Sequence, residues 1–328
     1  MTEIGISVGG APSWWGQNDV LELFDEVAAT GATTVRCDFR LETAGIMRQA
    51  AIDHGLKMHW LINPLSNWAV GDIQNNSANA WELGNEPNLG KAVADSAITS
   101  YAVAVTELAR KIRFSDQEAV LIGPGVLRRK DDSTAFRSDT EWARLFGDAG
   151  GFDELDAAGY HPYCSNPTVR PSDDNIGANG WQRLDFYANE VHRHADIPVM
   201  VTEQGWSTFD TANSEISLLH AEAISEFEEY LGRGTVIGPL FVYSMRDTGT
   251  SDYESQFGLL RTDSSPKPQY DVIVAKATIP AEPPAEPPVD NRDEIFDSLD
   301  ARLEKMQSVG ATILSNASYA RRELEELR

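Results

Sequence analysis

The sequence predicts an α/β fold of the (β/α)8 TIM-barrel class for residues 1–279. Short apolar runs of strand length alternate there with longer amphipathic stretches of helical periodicity. Eight strand runs can be recognised, and a barrel of eight strand–helix units typically needs about 250 residues. The alternative is a doubly wound sheet. It is disfavoured because residues 8–12 (VGGAP), after the first strand, do not match the glycine fingerprint of that fold.

The predicted elements follow one another in order along these residues. The strand candidates are Ile4–Val8, Thr34–Phe39, Leu56–Ile62, Ala80–Gly84, Ala119–Gly123, Ala157–His161, Val199–Thr202 and Leu240–Ser244. The helix candidates are Val20–Thr30, Ala44–His54, Ser96–Arg113, Trp181–His194 and Ser214–Gly232. The connection 64–79 has a weak helical pattern and is expected to be mostly loop.

A boundary follows the predicted barrel. Residues 280–290 (PAEPPAEPPVD) contain five prolines, a composition typical of an extended, semi-rigid spacer. Residues 291–328 then carry a single helical pattern. The predicted organisation is therefore a barrel over 1–279, a proline-rich linker over 280–290 and a terminal helix over 291–328.

Composition excludes several classes of function. The net charge of −24 argues against binding to nucleic acid or to an anionic membrane surface. Two cysteines, Cys37 and Cys164, do not make a disulfide framework. Residues 1–10 (MTEIGISVGG) lack the features of a secretory signal, and no apolar run could span a bilayer. We expect a protein made in the cytoplasm, without membrane insertion, that acts on a neutral or weakly charged partner.

Two strands end on glutamate. Residues 80–88 (AWELGNEPN) carry Glu86, and residues 198–206 (PVMVTEQGW) carry Glu203. Barrel enzymes place their active sites at the C-terminal ends of the strands. Two carboxyl groups there suit the cleavage of a glycosidic bond, in which one protonates the leaving oxygen and the other attacks or activates water.

Other strand ends contribute polar groups to the same rim. Arg36 lies on the second strand, with Arg40 as the alternative cation, and His161 and Tyr163 lie at the end of the sixth. The Asn-Glu-Pro and Thr-Glu-Gln-Gly-Trp motifs, in this order, resemble the signatures of clan A (the 4/7 superfamily) of retaining glycoside hydrolases. The resemblance extends over about residues 1–278 and includes the segments 257–260 (FGLL) and 266–268 (PKP).

The resemblance implies roles for individual residues. Glu86 would be the acid/base and Glu203 the nucleophile, kept ionised by Arg36 and Tyr163. Asn85 would donate to the 2-hydroxyl of the sugar, and His161 would orient the site. No cofactor or metal is implied, and His192 and His194 lack metal-ligand spacing.

The sequence departs from the family at the eighth strand. Where the family often has a tryptophan, Tyr243 or Met245 occurs instead. Other aromatic residues in loops after strands are candidates for stacking on sugar rings; they are Trp14, Trp15, Trp68 and Trp206. The basic run 128–130 (RRK) is expected to be a solvated loop.

The terminal segment has the pattern of a coiled coil. Apolar residues keep a 3-4 spacing from Phe296 to Leu327, interrupted at Gly310. We expect a homo-oligomer through residues 293–328, with a trimer favoured. A barrel on a stalk with an oligomerisation helix resembles virion-attached glycosidases of bacteriophage tails. The alternative functions are a carbohydrate-binding adhesin with a catalytically silent barrel and a structural virion protein.

Overall fold

The computed structural model describes residues 2–9, 17–90, 92–164 and 180–277. The chain divides into two units, Met1–Ile279 and Pro280–Arg328. All of the described residues belong to the first unit. The predicted linker and coiled coil, and the stacking candidates Trp14 and Trp15, lie outside the described residues.

The described residues contain nine strands, and every pairing between them is parallel. The strands are β1 (Ile4–Gly9), β2 (Thr34–Asp38), β3 (Lys57–Leu61), β4 (Ala80–Glu82), β5 (Val120–Ile122), β6 (Val126–Leu127), β7 (Ala158–His161), β8 (Val199–Val201) and β9 (Leu240–Tyr243). They form a six-stranded sheet in the order β5-β4-β3-β2-β1-β9 and a three-stranded sheet in the order β6-β7-β8. The predicted α/β class is confirmed.

The predicted closed barrel is not present as one continuous sheet. Single parallel bridges, Ile122 with Ala157 and Gln204 with Val242, link the two sheets on either side. The fifth strand is interrupted at Pro124, which has no N–H to donate to a ladder, and β6 resumes after it. The described chain therefore has nine short strands where eight were predicted.

Eight helices occur in the described residues. They are α1 (Gln17–Ala29), α2 (Leu41–Asp53), α3 (Val70–Asn75), α4 (Asp95–Ser115), α5 (Asp139–Asp148), α6 (Gly180–Val191), α7 (Asn213–Gly232) and α8 (Pro268–Ala277). Each longer helix buries one apolar stripe; in α1 this consists of Val20, Leu23, Phe24 and Val27. The short α3 lies in the connection that was expected to be mostly loop. Among these helices, none combines the length and the apolar composition needed to cross a bilayer.

The inner face of the strands is apolar at one end and polar at the other. A small buried cluster lines the apolar end and consists of Ala80, Ile122, Ala157, Met200 and Phe241. Because side chains on one face of a strand recur every two residues, Glu82 follows Ala80 on this face, and Thr202 follows Met200. The polar end thus lies at the C-terminal ends of the strands, where the candidate site residues are found.

Candidate active site

Arg36 occupies the centre of the polar end. It is only 3% exposed, and its guanidinium spans two carboxylates. Its Nε donates to Glu82 Oε2 at 2.6 Å, and its Nη1 donates to Glu203 Oε2 at 2.8 Å. Burial alone would lower the pKa of Arg36, but these two carboxylates outweigh it and raise the pKa above its ordinary value. Arg36, rather than Arg40, is therefore the cation held against the glutamates. Arg40 pairs with Asp38 near the surface.

Glu203 is held on both carboxylate oxygens. Tyr163 donates its hydroxyl to Oε1 at 2.7 Å, while Arg36 binds Oε2. Burial, and then the charge of Glu203, raise the pKa of Tyr163 well above its usual range, so the phenol remains a donor. The Glu203 side chain is 11% exposed and borders a cavity. Two donors and a partial opening are suitable surroundings for an ionised carboxylate that faces a ligand.

Glu86 lies in the turn after β4 and has different surroundings. Its backbone adopts a positive φ of 47°, and its N–H donates to the Gly125 carbonyl at 2.8 Å. Its side chain is 23% exposed and contacts His161 Nδ1 through Oε1 at 3.0 Å. One oxygen of Glu86, one of Glu203 and one nitrogen of His161 lie within 4.8 Å of one another. The structure thus brings the two predicted catalytic carboxylates together.

The proton positions on His161 follow from its neighbours. The Thr202 hydroxyl donates to Glu82 Oε1 at 3.0 Å, so it must accept from His161 Nε2, which lies 3.1 Å away. Burial alone would lower the pKa of His161, but Glu203, Glu82 and Glu86 raise it to about 9. His161 is therefore an imidazolium at neutral pH, with Nδ1–H donating to Glu86.

Glu82 is a buried residue of this network that sequence reasoning missed. Besides its bonds to Arg36 and Thr202, it lies 3.3 Å from His59 Nε2 and 3.7 Å from His161 Nε2. Burial opposes its ionisation, but Arg36, followed by His161, holds the pKa of Glu82 well below its usual value. Glu82 is a fully buried anion that connects the cation beside Glu203 with the imidazole beside Glu86.

Asn85 and Tyr243 border the cavity beside the two carboxylates. The cavity has a volume of about 480 Å³. Arg36 Nη2 donates to Asn85 Oδ1 at 3.0 Å, which leaves the amide nitrogen of Asn85 to donate elsewhere. Burial, and then Glu203, raise the pKa of Tyr243 to about 12. The two residues add further hydrogen-bonding groups to the cavity wall.

The predicted stacking residues separate into two kinds of environment. Trp68 is half-buried and lines a second cavity of about 570 Å³, together with Arg40 and Tyr101. Asn85 lines both this cavity and the first one. Trp206 is only 1% exposed and packs edge-on against His220 in the core. The structure therefore places Trp68 beside the site and Trp206 away from the cavity surface.

The expectation of a solvated loop at 128–130 is wrong for its first residue. Arg128 is 7% exposed, and its Nε donates to the Tyr163 carbonyl at 3.1 Å. Arg128 and Arg129 both line the 480 Å³ cavity, together with Tyr253 and Glu254. Consecutive charged residues in a sequence do not indicate which of their side chains are buried. The burial of Arg128 could therefore not be predicted from the sequence.

Glu86, His161 and Glu203 form the one group of donors in the described part of the chain that could hold a metal ion. Both oxygens of Glu203 already accept strong hydrogen bonds, and the Arg36 guanidinium lies 2.8 Å from one of them. A cation at this point would be repelled by Arg36 and by the His161 imidazolium. The donor set therefore suits proton transfer and nucleophilic attack better than metal ligation.

Comparisons with known proteins identify the fold. The sequence matches no family model, and no curated protein matches it. The structure resembles a family 39 glycoside hydrolase from Bacteroides cellulosilyticus WH2, with a TM-score of 0.58, 20% identity, and coverage of 85% of this chain and 64% of that chain. It also resembles GH5_18 from Streptomyces cattleya in complex with GlcNAc (TM-score 0.58, 14% identity, 84% and 80% coverage).

A third similar structure is the endo-β-1,4-mannanase from Thermotoga petrophila (TM-score 0.54, 11% identity, 84% and 76% coverage). This chain thus spans less than two thirds of the Bacteroides structure and more of the other two. At such low identities the similarity defines the fold, which is the one these glycoside hydrolases share.

Proposed function

We propose that this protein is a retaining glycoside hydrolase that cleaves O-glycosidic bonds of a poly- or oligosaccharide with a (β/α)8-type active site. The observation that carries the proposal is the approach of Glu86 and Glu203 to within 4.8 Å, measured between one oxygen of each. Retaining enzymes separate their carboxyl groups by about 5–5.5 Å, and inverting enzymes by roughly 6.5–9.5 Å. The close approach of one oxygen of each residue supports the retaining assignment, which uses the closer pair of carboxyl groups.

Glu203 has the surroundings of the nucleophile. In the first step its carboxylate attacks the anomeric carbon, and the bond to the leaving oxygen breaks. Glu203 loses its negative charge as the ester forms, and the leaving oxygen takes the bonding electron pair together with the proton of Glu86. Arg36 and Tyr163 hold the Glu203 side chain in place during this step. Their 2.8 and 2.7 Å bonds orient the carboxylate towards the cavity.

Glu86 is assigned the acid/base role by the family resemblance and by its position on the cavity wall, which the glutamate within β4 does not line. Because His161 Nδ1–H donates to Oε1, Oε2 remains available to carry the proton that the leaving oxygen receives. In the second step Glu86 takes a proton from water, the water oxygen attacks the anomeric carbon, and the ester bond to Glu203 breaks. Asn85 would donate to the 2-hydroxyl through the amide nitrogen that Arg36 leaves unoccupied.

The test is a hydrolysis screen on host-envelope and plant polysaccharides and on aryl glycosides. Glu203→Ala should abolish turnover of every substrate, because no ester can form. Glu86→Ala should retain turnover of substrates with good leaving groups and regain rate with azide. Glu118→Ala, an exposed carboxylate outside the site, serves as the matched control.

Proton NMR of the first-formed sugar then gives the stereochemistry. A product with the anomeric configuration of the substrate supports the proposal, and the opposite anomer contradicts retention. Equal losses by Glu86→Ala on activated and unactivated substrates would instead assign Glu86 a structural role.

A further inference from the structure

Two arginines line the cavity of a strongly acidic protein. Arg128 and Arg129 are the only cationic side chains among the described residues that line the 480 Å³ cavity. The carboxylic acids in the same lining are Glu86, Glu203 and Glu254, and the whole chain has a net charge of −24. This part of the wall therefore presents positive charge to a bound ligand, which suits an anionic group.

Arg129 has no carboxylate partner among the described residues, whereas several other arginines do. Arg137, Arg144 and Arg183, for example, each pair with an aspartate or a glutamate. No carboxylate of the described residues lies within ion-pair distance of Arg129, and its buried Nε has no hydrogen-bond acceptor. Its guanidinium instead lies over the Phe136 ring, 5.0 Å from the centroid. The ring holds the cation in place, and no carboxylate of the described residues neutralises it.

The segment that leads into the two arginines lies beside the turn that carries Glu86. Glu86 N–H donates to the Gly125 carbonyl at 2.8 Å. Two residues further, Leu127 N–H donates to Asn88 Oδ1 at 3.1 Å and the Leu127 carbonyl accepts from Asn88 Nδ2 at 2.8 Å. The segment that leads into Arg129 is thus fixed against the turn that carries Glu86. In the proposed reaction Glu86 protonates the leaving oxygen, so this side of the cavity receives the leaving part of the substrate.

We propose that Arg129, with Arg128 beside it, recognises an anionic group on the leaving part of the saccharide, either a carboxylate or a phosphate. The planar guanidinium fork matches both groups and binds them through two parallel hydrogen bonds. The inference rests on the proposed function, because that function defines which side of the cavity receives the leaving group. It assigns the substrate to the class of acidic glycans.

Binding of small sugars to the full-length protein tests this inference without requiring turnover. The probes are D-glucuronate, glucose 6-phosphate, neutral glucose and inorganic phosphate, titrated at low salt and followed by NMR. At least one anionic sugar should bind about tenfold more tightly than glucose, the factor expected from one additional charge-assisted interaction. Tighter binding of glucuronate indicates a uronic acid, and tighter binding of glucose 6-phosphate indicates a phosphorylated glycan.

Three variants locate the effect. Arg129→Gln should remove the preference for the anionic sugar, and Arg129→Lys should keep part of it, because the charge remains but the fork is lost. Arg110→Gln removes the same charge from an exposed arginine paired with Glu154 and should keep the full preference. Thermal unfolding of each variant checks that it is folded.

The proposal fails if glucose binds as tightly as both anionic sugars, if no sugar binds, or if Arg129→Gln keeps the preference. Inorganic phosphate binding as tightly as glucose 6-phosphate would show an adventitious ion only. Failure of the glycosidase function is a separate outcome. If the protein hydrolyses neutral glycans and shows no preference for anionic sugars, Arg129 does not recognise an anion, but the proposed roles of Glu86 and Glu203 still hold.

Discussion

At the scale of single residues, the buried carboxylate of Glu82 couples the two halves of the candidate site. It binds Arg36, which holds Glu203, and it accepts from Thr202, which accepts in turn from the imidazolium beside Glu86. Glu82 itself is fully buried and does not line the cavity. Its contribution is therefore to hold other groups at the right positions and in the right protonation states.

Glu82→Gln should impair turnover and stability together. The amide removes a buried negative charge and leaves Arg36 with one carboxylate, which we expect to cost about 3 kcal/mol of unfolding free energy. It should also lower the pKa of His161, because Glu82 is one of the groups that raise it. Urea denaturation and the pH profile of kcat measure the two effects.

The matched control for this prediction is Glu141→Gln, which breaks a partly exposed pair with Arg144 and should cost much less stability than Glu82→Gln. An unchanged basic limb of the pH profile in Glu82→Gln, with stability reduced, would show that Glu82 supports the fold alone.

The pKa of His161 predicts a dependence of stability on pH. The pKa is raised from 6.5 to about 9 in the folded protein, so the folded state holds the proton more tightly than the unfolded state. The stabilisation is fully present below pH 6.5 and is lost as the pH rises to 9. At about 1.4 kcal/mol for each pKa unit, it amounts to about 3 kcal/mol.

Urea denaturation at pH 6 and pH 9 measures this loss. His161→Gln lacks the titrating group, and its stability should change less over the same interval. The prediction is contradicted if wild-type and variant proteins lose the same free energy between the two pH values.

Sequence reasoning at this scale found Glu86, His161 and Glu203 because each ends or follows an apolar strand run, and it found Arg36 as a cation on the second strand. It missed Glu82 because the Asn-Glu-Pro motif already supplied a carboxylate, Glu86, after that strand. Glu82 is fully buried at the polar end of the inner face, where Arg36 neutralises its charge. Only the three-dimensional structure shows this pairing. Trp206 illustrates the opposite error, since a loop position does not prevent a large side chain from packing into the core.

At the scale of elements, the break between β5 and β6 brings a backbone close to the site. A Cβ added to Gly125 would lie 2.6 Å from Glu82 Oε1 and would also collide with the His161 ring. Glycine allows the chain to pass between these groups while its carbonyl accepts from Glu86 N–H. The turn that positions Glu86, the proposed acid/base, thus depends on the absence of a side chain at residue 125.

Gly125→Ala should therefore displace His161 and lower kcat by about tenfold or more, with a stability loss of about 1–3 kcal/mol from overpacking. Gly45→Ala is the control, because Gly45 lies exposed in α2 with no atom within 4 Å of the added Cβ. It should stabilise the protein by about 0.5–1 kcal/mol. Steady-state kinetics and urea denaturation distinguish the two, and full activity in Gly125→Ala would contradict this account of the turn.

The order of the strands and the positions of five helices were predictable, because each segment shows a clear hydrophobic periodicity. The predicted helix ends differ from the observed ones by up to three residues, and α5 and α8 were not predicted. The two-residue β6 and the six-residue α3 are too short to carry a period. Pro124 marks the split of the fifth strand in the sequence, but the pairing of β6 with β7 joins residues that are distant along the chain. β6 leads directly into Arg128 and Arg129. The Gly125 carbonyl just before β6 accepts from Glu86 N–H.

At the scale of the whole molecule, residues 293–328 carry the last prediction, which rests on sequence alone because they lie outside the described residues. A helix over this segment would be about 54 Å long at 1.5 Å per residue. Its apolar 3-4 stripe must be buried, and identical partners can bury every position without a matching groove on the barrel. We propose that the full chain is a homo-oligomer, with a parallel trimer favoured, and that it carries several catalytic units on proline-rich stalks.

Light scattering on the full chain should give about three times the monomer mass. The double variant Leu303→Glu/Leu324→Glu places charges in the apolar stripe and should be monomeric. Ser308→Glu adds a charge at a position that is not part of the stripe and should leave the oligomer intact. The monomeric variant should keep its turnover of small substrates, because the site lies within Met1–Ile279. It should bind a polymeric glycan surface more weakly, because linked sites raise the effective concentration for one another. A full chain that is monomeric at micromolar concentration would contradict self-association through this stripe.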